Sequence, residues 1–223
     1  MTGVDLLDVE EAPSVPLCPG VPLVWLLPDD VDRVSWCNFD TELLSQRERD
    51  RLSTIRHPLT RFHFQRGRTM LRVMLAKHLG GNPSDIPLTV NAHGKPVLAD
   101  HSLHFNVTHT EGVLGFVIGR TPVGIDAERT QSNRDLPGLV NRYFGTAEQA
   151  QFAALPAELQ PAAFLRGWTC KEALLKAIGT GMRDVQNCTV ELDPREPAKV
   201  FVPTGWKLAR MNHGDSIAVA VVW

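Results

Sequence analysis

Two stretches of the chain, one in each half, carry nearly the same pattern of apolar and polar positions. Residues 64–75 and 164–175 share the pattern Phe-x-Arg-Gly-x-Thr. Each continues with apolar residues at helical spacing and ends near a glycine, Gly80 or Gly179, which is a common helix stop. The pattern predicts one long helix in each half of the chain.

The same order of short apolar runs follows each predicted helix. These runs, bounded by turn residues, predict strands. In the first half they are Leu88–Val90, Pro96–Leu98 and Val113–Ile118. In the second half they are Thr189–Leu192, Lys199–Val202 and Ile217–Val222. Chance accounts for part of such a match, but the repeated element order favours an internal duplication.

This order predicts an α+β fold with two similar subdomains related by pseudo-twofold symmetry, each a long helix packed on a small antiparallel sheet. We place the subdomains at residues 1–119 and 120–223, with a linker near Arg120–Pro122. A cleft between two such halves is a usual place for a ligand.

Three carboxylates stand out on the predicted elements. Asp126 and Glu128 lie two residues apart on a predicted strand and therefore share one of its faces. Glu172 follows Trp168 and precedes Lys176 at intervals of four, so these three side chains line one stripe of the second long helix. The oxygen ligands suit Mg²⁺. Taken separately, an ordinary Glu172–Lys176 pair and a solvated strand face explain the same residues.

Charge excludes some classes of partner. The formal net charge of −2 over 223 residues argues against a molecule that binds nucleic acid over its whole surface. The stretch from Arg47 to Lys77 is nevertheless basic, with nine Arg or Lys residues against two acids. It is either a solvated helix surface or a local site for an anionic ligand or an acidic partner.

The four cysteines form no metal-binding spacing and indicate reduced thiols. The sequence shows no signal peptide and no apolar run long enough to span a membrane. We therefore expect a soluble, cytoplasmic protein.

An ordered set of motifs carries a family resemblance. Gly-Ile-Asp-Ala-Glu at 124–128 and Trp-x-x-Lys-Glu-Ala-x-x-Lys at 168–176 follow Gly-Lys-Pro at 94–96 and Phe-Asn-x-Thr-His-Thr at 105–110. The set strongly resembles the phosphopantetheinyl transferases of the two-domain, surfactin-synthetase-activating type. Lys-Glu-Ala indicates the branch that acts on secondary-metabolite or lipid synthases, although it does not identify the carrier partner.

The resemblance implies the 4'-phosphopantetheinyl transferase fold and a reaction. The 4'-phosphopantetheine arm of coenzyme A is joined to a serine of an apo acyl, peptidyl or aryl carrier protein, and adenosine 3',5'-bisphosphate leaves. It implies Mg²⁺, with Mn²⁺ as an alternative, as the cofactor. Because the duplicated chain already holds both halves of the site, we expect a monomer.

The resemblance also implies roles for particular residues. Asp126, Glu128 and Glu172 are the implied metal ligands, and the base is Glu172 or Glu148. Lys176 is expected to stabilise the leaving phosphate and Lys171 to hold a phosphate.

Further residues are implied to bind coenzyme A. His109 is expected to contact its 3'-phosphate, with Arg68 as a second phosphate ligand. The turn at 94–96 is expected to contact the adenine largely through backbone. The turn consists of Gly94, Lys95 and Pro96. Thr108 and Thr110 stand where the family often has serines, and their hydroxyls are expected to keep the hydrogen-bonding role. Ala127 departs from the larger or polar side chain of many relatives.

Two other functions fit the acids less completely. One is a metal-dependent hydrolase of a nucleotide pyrophosphate, and the other is a non-catalytic module that binds coenzyme A or a carrier protein. For the carrier surface, the candidates are the basic Arg47–Lys77 helices and the segment 138–155. The apolar residues of that segment face either a partner or the core.

Overall fold

The fold is α+β, as predicted, with five α-helices and eleven β-strands among the described residues. The computed structural model describes residues 5–7, 17–29, 40–130, 134–181, 185–186, 188–196, 200–201, 205–214 and 216–223. The helices are α1 Gln46–Thr54, α2 Pro58–Leu79, α3 Leu136–Tyr143, α4 Thr146–Ala154 and α5 Gln160–Ile178. No helix in these ranges has the length and apolar character needed to cross a membrane.

The strands form two larger sheets and two short hairpins. They are β1 Asp5–Leu7, β2 Leu23–Leu27, β3 Leu88–Val90, β4 Pro96–Leu98, β5 His104–Thr110, β6 Val113–Gly119, β7 Gly124–Arg129, β8 Thr189–Val190, β9 Val200–Phe201, β10 Leu208–His213 and β11 Ile217–Val222. The first sheet has the order β1-β2-β6-β5 and the second β10-β11-β7. All neighbours are antiparallel except β1 and β2.

The predicted repeat of element order is present. Helices α2 and α5 are each followed by a short hairpin and then by two longer paired strands. In each half the last strand also pairs with the strand that precedes the helices, β6 with β2 and β11 with β7. Strand β8 has two residues and is shorter than the predicted Thr189–Leu192, whereas the ends of the predicted strand Lys199–Val202 lie outside the described residues.

Alternation along the strands divides the interior into three cores. Leu23, Trp25 and Leu27 of β2 pack in a core with α2, whereas Val24 and Leu26 enter a core that both sheets share. Strands β7 and β11 contribute to the shared core from the second sheet, and the opposite face of β11 packs in a third core with α5. The layers therefore run α2, first sheet, second sheet, α5.

Glycine allows α5 to lie directly against β7. A Cβ on Gly124 would stand 1.9 Å from the carbonyl oxygen of Ala173 and 2.5 Å from the amide nitrogen of Ala177. These are backbone atoms of α5, so no side-chain movement relieves the clash. Ile125 and Ala127 face the shared core. Because strand side chains alternate, Asp126 and Glu128 face α5 together, as predicted.

The start of the basic helices also follows the sequence. Ser45 and Glu48 form a capping box at the start of α1. Glu48 accepts a further bond of 2.7 Å from the buried guanidinium of Arg72, which ties α1 to α2. Pro58 lies in the first turn of α2. The two basic helices are thus fixed to each other by a carboxylate and not only by apolar contact.

Gly124→Ala should lower the free energy of unfolding by about 1–3 kcal/mol or more, because the added methyl group overlaps backbone. The measurement is urea denaturation. Gly67→Ala is the matched control, since its Cβ would meet only side-chain atoms at 3.8 and 3.9 Å and alanine favours a helix by roughly 1 kcal/mol. Equal stability of the two variants would contradict the close contact.

Candidate active site

The acid Asp126 is nearly buried and lies against a lysine of α5. Its exposed fraction is 4%. Oδ1 accepts a bond of 2.6 Å from Nζ of Lys176, while the buried Oδ2 has no hydrogen-bond partner among the described residues. A buried carboxylate oxygen without a donor is costly, so this atom is open to a further cation or donor.

The two neighbouring glutamates complete the acidic cluster. Oε1 of Glu128 accepts a bond of 3.2 Å from the indole nitrogen of Trp168, and Oε2 lies 3.5 Å from Arg134. Glu172 is partly buried one turn before Lys176 on the same helix. The structure thus brings the predicted stripe of α5 opposite the predicted face of β7.

Repulsion and burial act on these glutamates in the same direction. Burial is the main cause that raises the pKa of Glu128 and of Glu172, and the charge of Asp126 raises both further. Lys176 acts in the opposite sense on each. Among the described residues, three carboxylates face two cations, the ammonium of Lys176 and the guanidinium of Arg134, so negative charge is in excess.

The cluster has the donors that Mg²⁺ prefers, all of them carboxylate oxygens. The orphaned Oδ2 of Asp126 and the raised glutamate pKa values also fit a missing cation. In the described part of the chain, however, no group of three or more His, Cys, Asp or Glu side chains stands ready to hold a metal ion. The ammonium of Lys176 supplies the positive charge at Asp126 in this arrangement.

Thr108 links the two halves at this point. Its buried hydroxyl donates 3.3 Å to Oδ1 of Asp126 and accepts 3.3 Å from the amide of Ala127. Nζ of Lys176 is 3.4 Å from the hydroxyl oxygen of Thr108. Asn106, two residues earlier on β5, accepts 3.2 Å from the amide of Ile125. Thr108 therefore lies beside the acids, whereas Thr110 ends β5 partly exposed.

A cavity of about 490 Å³ lies between α1, α2 and β5. Its polar lining is basic and includes both predicted phosphate ligands, Arg68 and His109. Four other basic residues of the lining belong to the stretch 47–77, which the sequence offered as a site for an anionic ligand or an acidic partner. They are Arg51, Arg56, His57 and His63. The i, i+4 spacing of His63 from Gly67 and of Phe64 from Arg68 on α2 could have indicated this face.

The imidazole of His109 is open to solvent at the edge of this cavity. Its ring centre lies 4.8 Å from that of His63, whose Nε2 is 3.7 Å from Oδ2 of Asp29. Partial burial lowers the pKa of His109, and the nearby His63 and Lys176 lower it further. A phosphate dianion at this end of the cavity would counter that repulsion.

A second cavity of about 240 Å³ adjoins the first, since Pro96 and Asn106 line both. It is lined by Gly94 and Lys95 of the predicted turn and by Glu172 and Lys176 of α5. Gly94 has a positive φ of 84° that suits glycine. The two cavities lead from the basic face of α2 to Glu172 and Lys176 of α5.

Two predicted site residues lie elsewhere and correct the expectation from the sequence. Lys171 is fully buried, and its Nζ is 2.7 Å from Oε2 of Glu148 and 2.9 Å from the carbonyl oxygen of Val185. Glu148 is 1% exposed and also accepts 2.8 Å bonds from the amides of Gly145 and Val190. Lys171 is not placed to hold a phosphate, nor Glu148 to act as a base, because each is enclosed by the other and by backbone.

The segment 138–155 turns its larger apolar residues inward. Val140 and Phe144 are 2% and 0% exposed, and Leu139 and Tyr143 pack against the same core. Burial is thus the correct reading of the two alternatives for these four residues. Tyr143 also meets Trp168 edge-on at 5.2 Å between ring centres, which helps to hold the indole beside Glu128.

Lys171→Met should lower the free energy of unfolding by about 3–5 kcal/mol, because it leaves the buried Glu148 carboxylate without its cation. Chemical denaturation measures the change. Lys207→Met is the control, since that side chain is exposed and its loss should change stability by less than about 0.5 kcal/mol. A Lys171→Met protein of normal stability that binds coenzyme A weakly would restore the phosphate role.

Comparison with known proteins identifies the family. The sequence model of the 4'-phosphopantetheinyl transferase superfamily matches residues 122–222, which hold the acids and α5. The 4'-phosphopantetheinyl transferase HetI of Nostoc sp. is 34% identical over 80% of this chain and 77% of its own length. A putative 4'-phosphopantetheinyl transferase of Synechocystis sp. is 31% identical over 91% of this chain and 87% of its own. The 4'-phosphopantetheinyl transferase gsp of Aneurinibacillus migulanus is 26% identical over 79% and 78%. The chain therefore belongs to the 4'-phosphopantetheinyl transferase superfamily.

Proposed function

We propose that this enzyme transfers the 4'-phosphopantetheine arm of coenzyme A to a serine of an apo carrier protein in a Mg²⁺-dependent reaction. The observation that carries the proposal is the pair of adjoining cavities, one basic and one lined by Glu172 and Lys176. A bisphosphorylated nucleotide needs cations at its 3'-phosphate and a second charged centre at its pyrophosphate. The cavities offer both.

The nucleotide half of coenzyme A would occupy the basic cavity. His109 and Arg68, with Arg51 and Arg56 beside them, would receive the 3'-phosphate. The adenine would lie along the turn at 94–96, contacting backbone. We further propose that residues 1–119 and 120–223 are duplicated halves related by a pseudo-twofold axis, with the substrate between them.

Asp126, Glu128 and Glu172 would hold the metal ion. When bound, Mg²⁺ would neutralise pyrophosphate charge and polarise the attacked phosphorus. The bond from Trp168 and the neighbour Arg134 hold Glu128 in place for this role. Mn²⁺ offers similar chemistry and is the alternative ion.

The transfer exchanges a phosphoanhydride bond of coenzyme A for a phosphate ester bond on the carrier. The serine oxygen of the carrier forms a bond to the β-phosphorus, the bond from that phosphorus to the bridging oxygen breaks, and adenosine 3',5'-bisphosphate leaves. Glu172 is the base in this proposal, because Glu148 is enclosed whereas Glu172 lines the second cavity. Lys176 would balance the charge that develops on the leaving phosphate.

The carrier protein would approach over the first turn of α2. Leu59 and Phe62 are exposed there at 55% and 38%, and Arg61 next to Phe62 is exposed as well. An acidic helix with an apolar edge would fit this surface. We propose that the enzyme works as a monomer in the cytoplasm, without nucleic acid or membrane partners.

Incubation with coenzyme A, Mg²⁺ and an apo carrier should add one phosphopantetheine to the carrier, measured by intact mass. Acyl, peptidyl and aryl carriers are run in parallel, because the structure does not choose among them. Asp126→Ala should reduce the rate by at least about 10³-fold if Asp126 holds the metal. Release of adenosine 3',5'-bisphosphate without a carrier would support the hydrolase instead. Binding without any turnover would support the non-catalytic module.

Mg²⁺ should raise the melting temperature of the wild type and leave that of Glu172→Gln nearly unchanged. An ion at 100 times its dissociation constant adds about 2.7 kcal/mol to the folded state. In the absence of metal, Glu172→Gln should have a higher melting temperature than the wild type. Because the pKa of Glu172 is raised, its charged form opposes folding at neutral pH, and Glu172→Gln should be the more stable protein.

The control for the thermal shift is Glu158→Gln, a change at an exposed acid that should keep the full response to Mg²⁺. The metal site would be refuted if Mg²⁺ did not change the melting temperature of the wild type and Asp126→Ala retained transfer.

A further inference from the structure

Lys95 directs its ammonium group at the end of α5. Nζ donates to the carbonyl oxygens of Lys176 and of Ala177, the latter at 3.5 Å, and to that of Val123 at 3.3 Å. The residue belongs to the turn at 94–96 between β3 and β4, in the other half of the chain. A single side chain therefore joins the predicted nucleotide turn to the last turn of the helix that carries the site.

The chemistry of a helix end explains this contact. The last four carbonyl groups of an α-helix have no partner within the helix and carry partial negative charge. Helix α5 ends at Ile178, with Gly179 in the left-handed region at φ 82°. Lys176 and Ala177 are thus among the residues whose carbonyls need donors, and a cation there is favourable.

A second bond secures the same junction. The side-chain amide of Asn91, at the start of the turn, donates 3.1 Å to the carbonyl oxygen of Gly179. The carbonyl side of that amide accepts from the backbone N–H groups of His93 and Lys95, which fixes the shape of the turn. The turn and the helix end are therefore held as one unit from both sides.

The segment fixed in this way carries the reacting groups. Lys176, whose carbonyl Lys95 binds, sends its own Nζ to Oδ1 of Asp126 at 2.6 Å. Glu172 lies one turn earlier and lines the same cavity as Lys95. An ammonium group has three N–H donors, and three carbonyl oxygens already lie within reach of Lys95. None is left over for a phosphate.

We propose that Lys95 is a positioning residue for the transfer, which couples the nucleotide-binding turn to the last turn of α5 and so sets Lys176 and Glu172 for reaction. The inference rests on the proposed function. Burial lowers the pKa of Lys95 to about 8, in keeping with an ammonium held among backbone groups rather than in water.

The test compares Lys95→Met and Lys95→Arg with the wild type, and Lys207→Met is the control at an exposed lysine. Three quantities are measured: kcat for a carrier protein, affinity for adenosine 3',5'-bisphosphate by calorimetry, and hydrogen exchange of peptides that cover residues 172–181. Lys95→Met should lower kcat by about 10- to 100-fold, because small displacements of reacting groups are costly. Nucleotide affinity should stay within the error of the titration, and exchange at the helix end should become several-fold faster.

The conservative change should recover part of the loss. Arginine keeps the charge and the donors, so Lys95→Arg should regain kcat and slow exchange relative to Lys95→Met. Asn91→Ala removes the second bond and should change both quantities in the same direction by a smaller factor. It is also the decisive variant if Lys95→Met does not fold.

Two results would overturn the inference. One is normal kcat and exchange in Lys95→Met, or in Asn91→Ala if the first variant does not fold. The other is weakened nucleotide affinity with unchanged exchange, which would make Lys95 a ligand contact. A wild type that transfers nothing would refute the proposed function alone, and the exchange data would still decide whether Lys95 holds the helix end.

Discussion

The close approach of β7 to α5 at Gly124 is the constraint on which the site depends. Only a residue without Cβ lets the strand lie against the backbone of Ala173 and Ala177. At this distance the carboxylate of Asp126 reaches Lys176 directly, and Glu172 lies close enough for the charges of Asp126 and Glu128 to raise its pKa. A strand displaced outward by one methyl group would separate the acids from the helix before any catalytic residue was altered.

Burial gives different roles to two lysines of α5, each of which binds a carboxylate on another element. Lys171 and Glu148 are sealed from water and surrounded by backbone donors and acceptors, so their charges are fixed to one another. The Lys176 side chain is 28% exposed and binds Oδ1 of Asp126. The other carboxylate oxygen of Asp126, Oδ2, has no donor in the described part of the chain. A hydrated lysine beside an incompletely bonded carboxylate can change partners when an anion arrives, whereas the sealed pair cannot.

Local patterns predicted what depends on local geometry. Strand alternation placed Asp126 and Glu128 on one face, and intervals of four aligned Trp168, Glu172 and Lys176. The same reasoning held a neglected signal, since Lys171 lies seven residues after the buried Phe164 and therefore on the core side of α5. Reading its charge as a phosphate ligand ignored that position.

Contacts between distant parts of the chain had no local pattern to indicate them. The partner of Lys171 on α4, the acceptors of Lys95 on α5 and the basic wall supplied by α1 depend on how the elements pack. Side-chain type and spacing do not encode these distances.

The core that both sheets share has a related consequence for folding. Each half covers an apolar sheet face of the other, so the halves should unfold as one cooperative unit, and either half made alone would expose that face and aggregate.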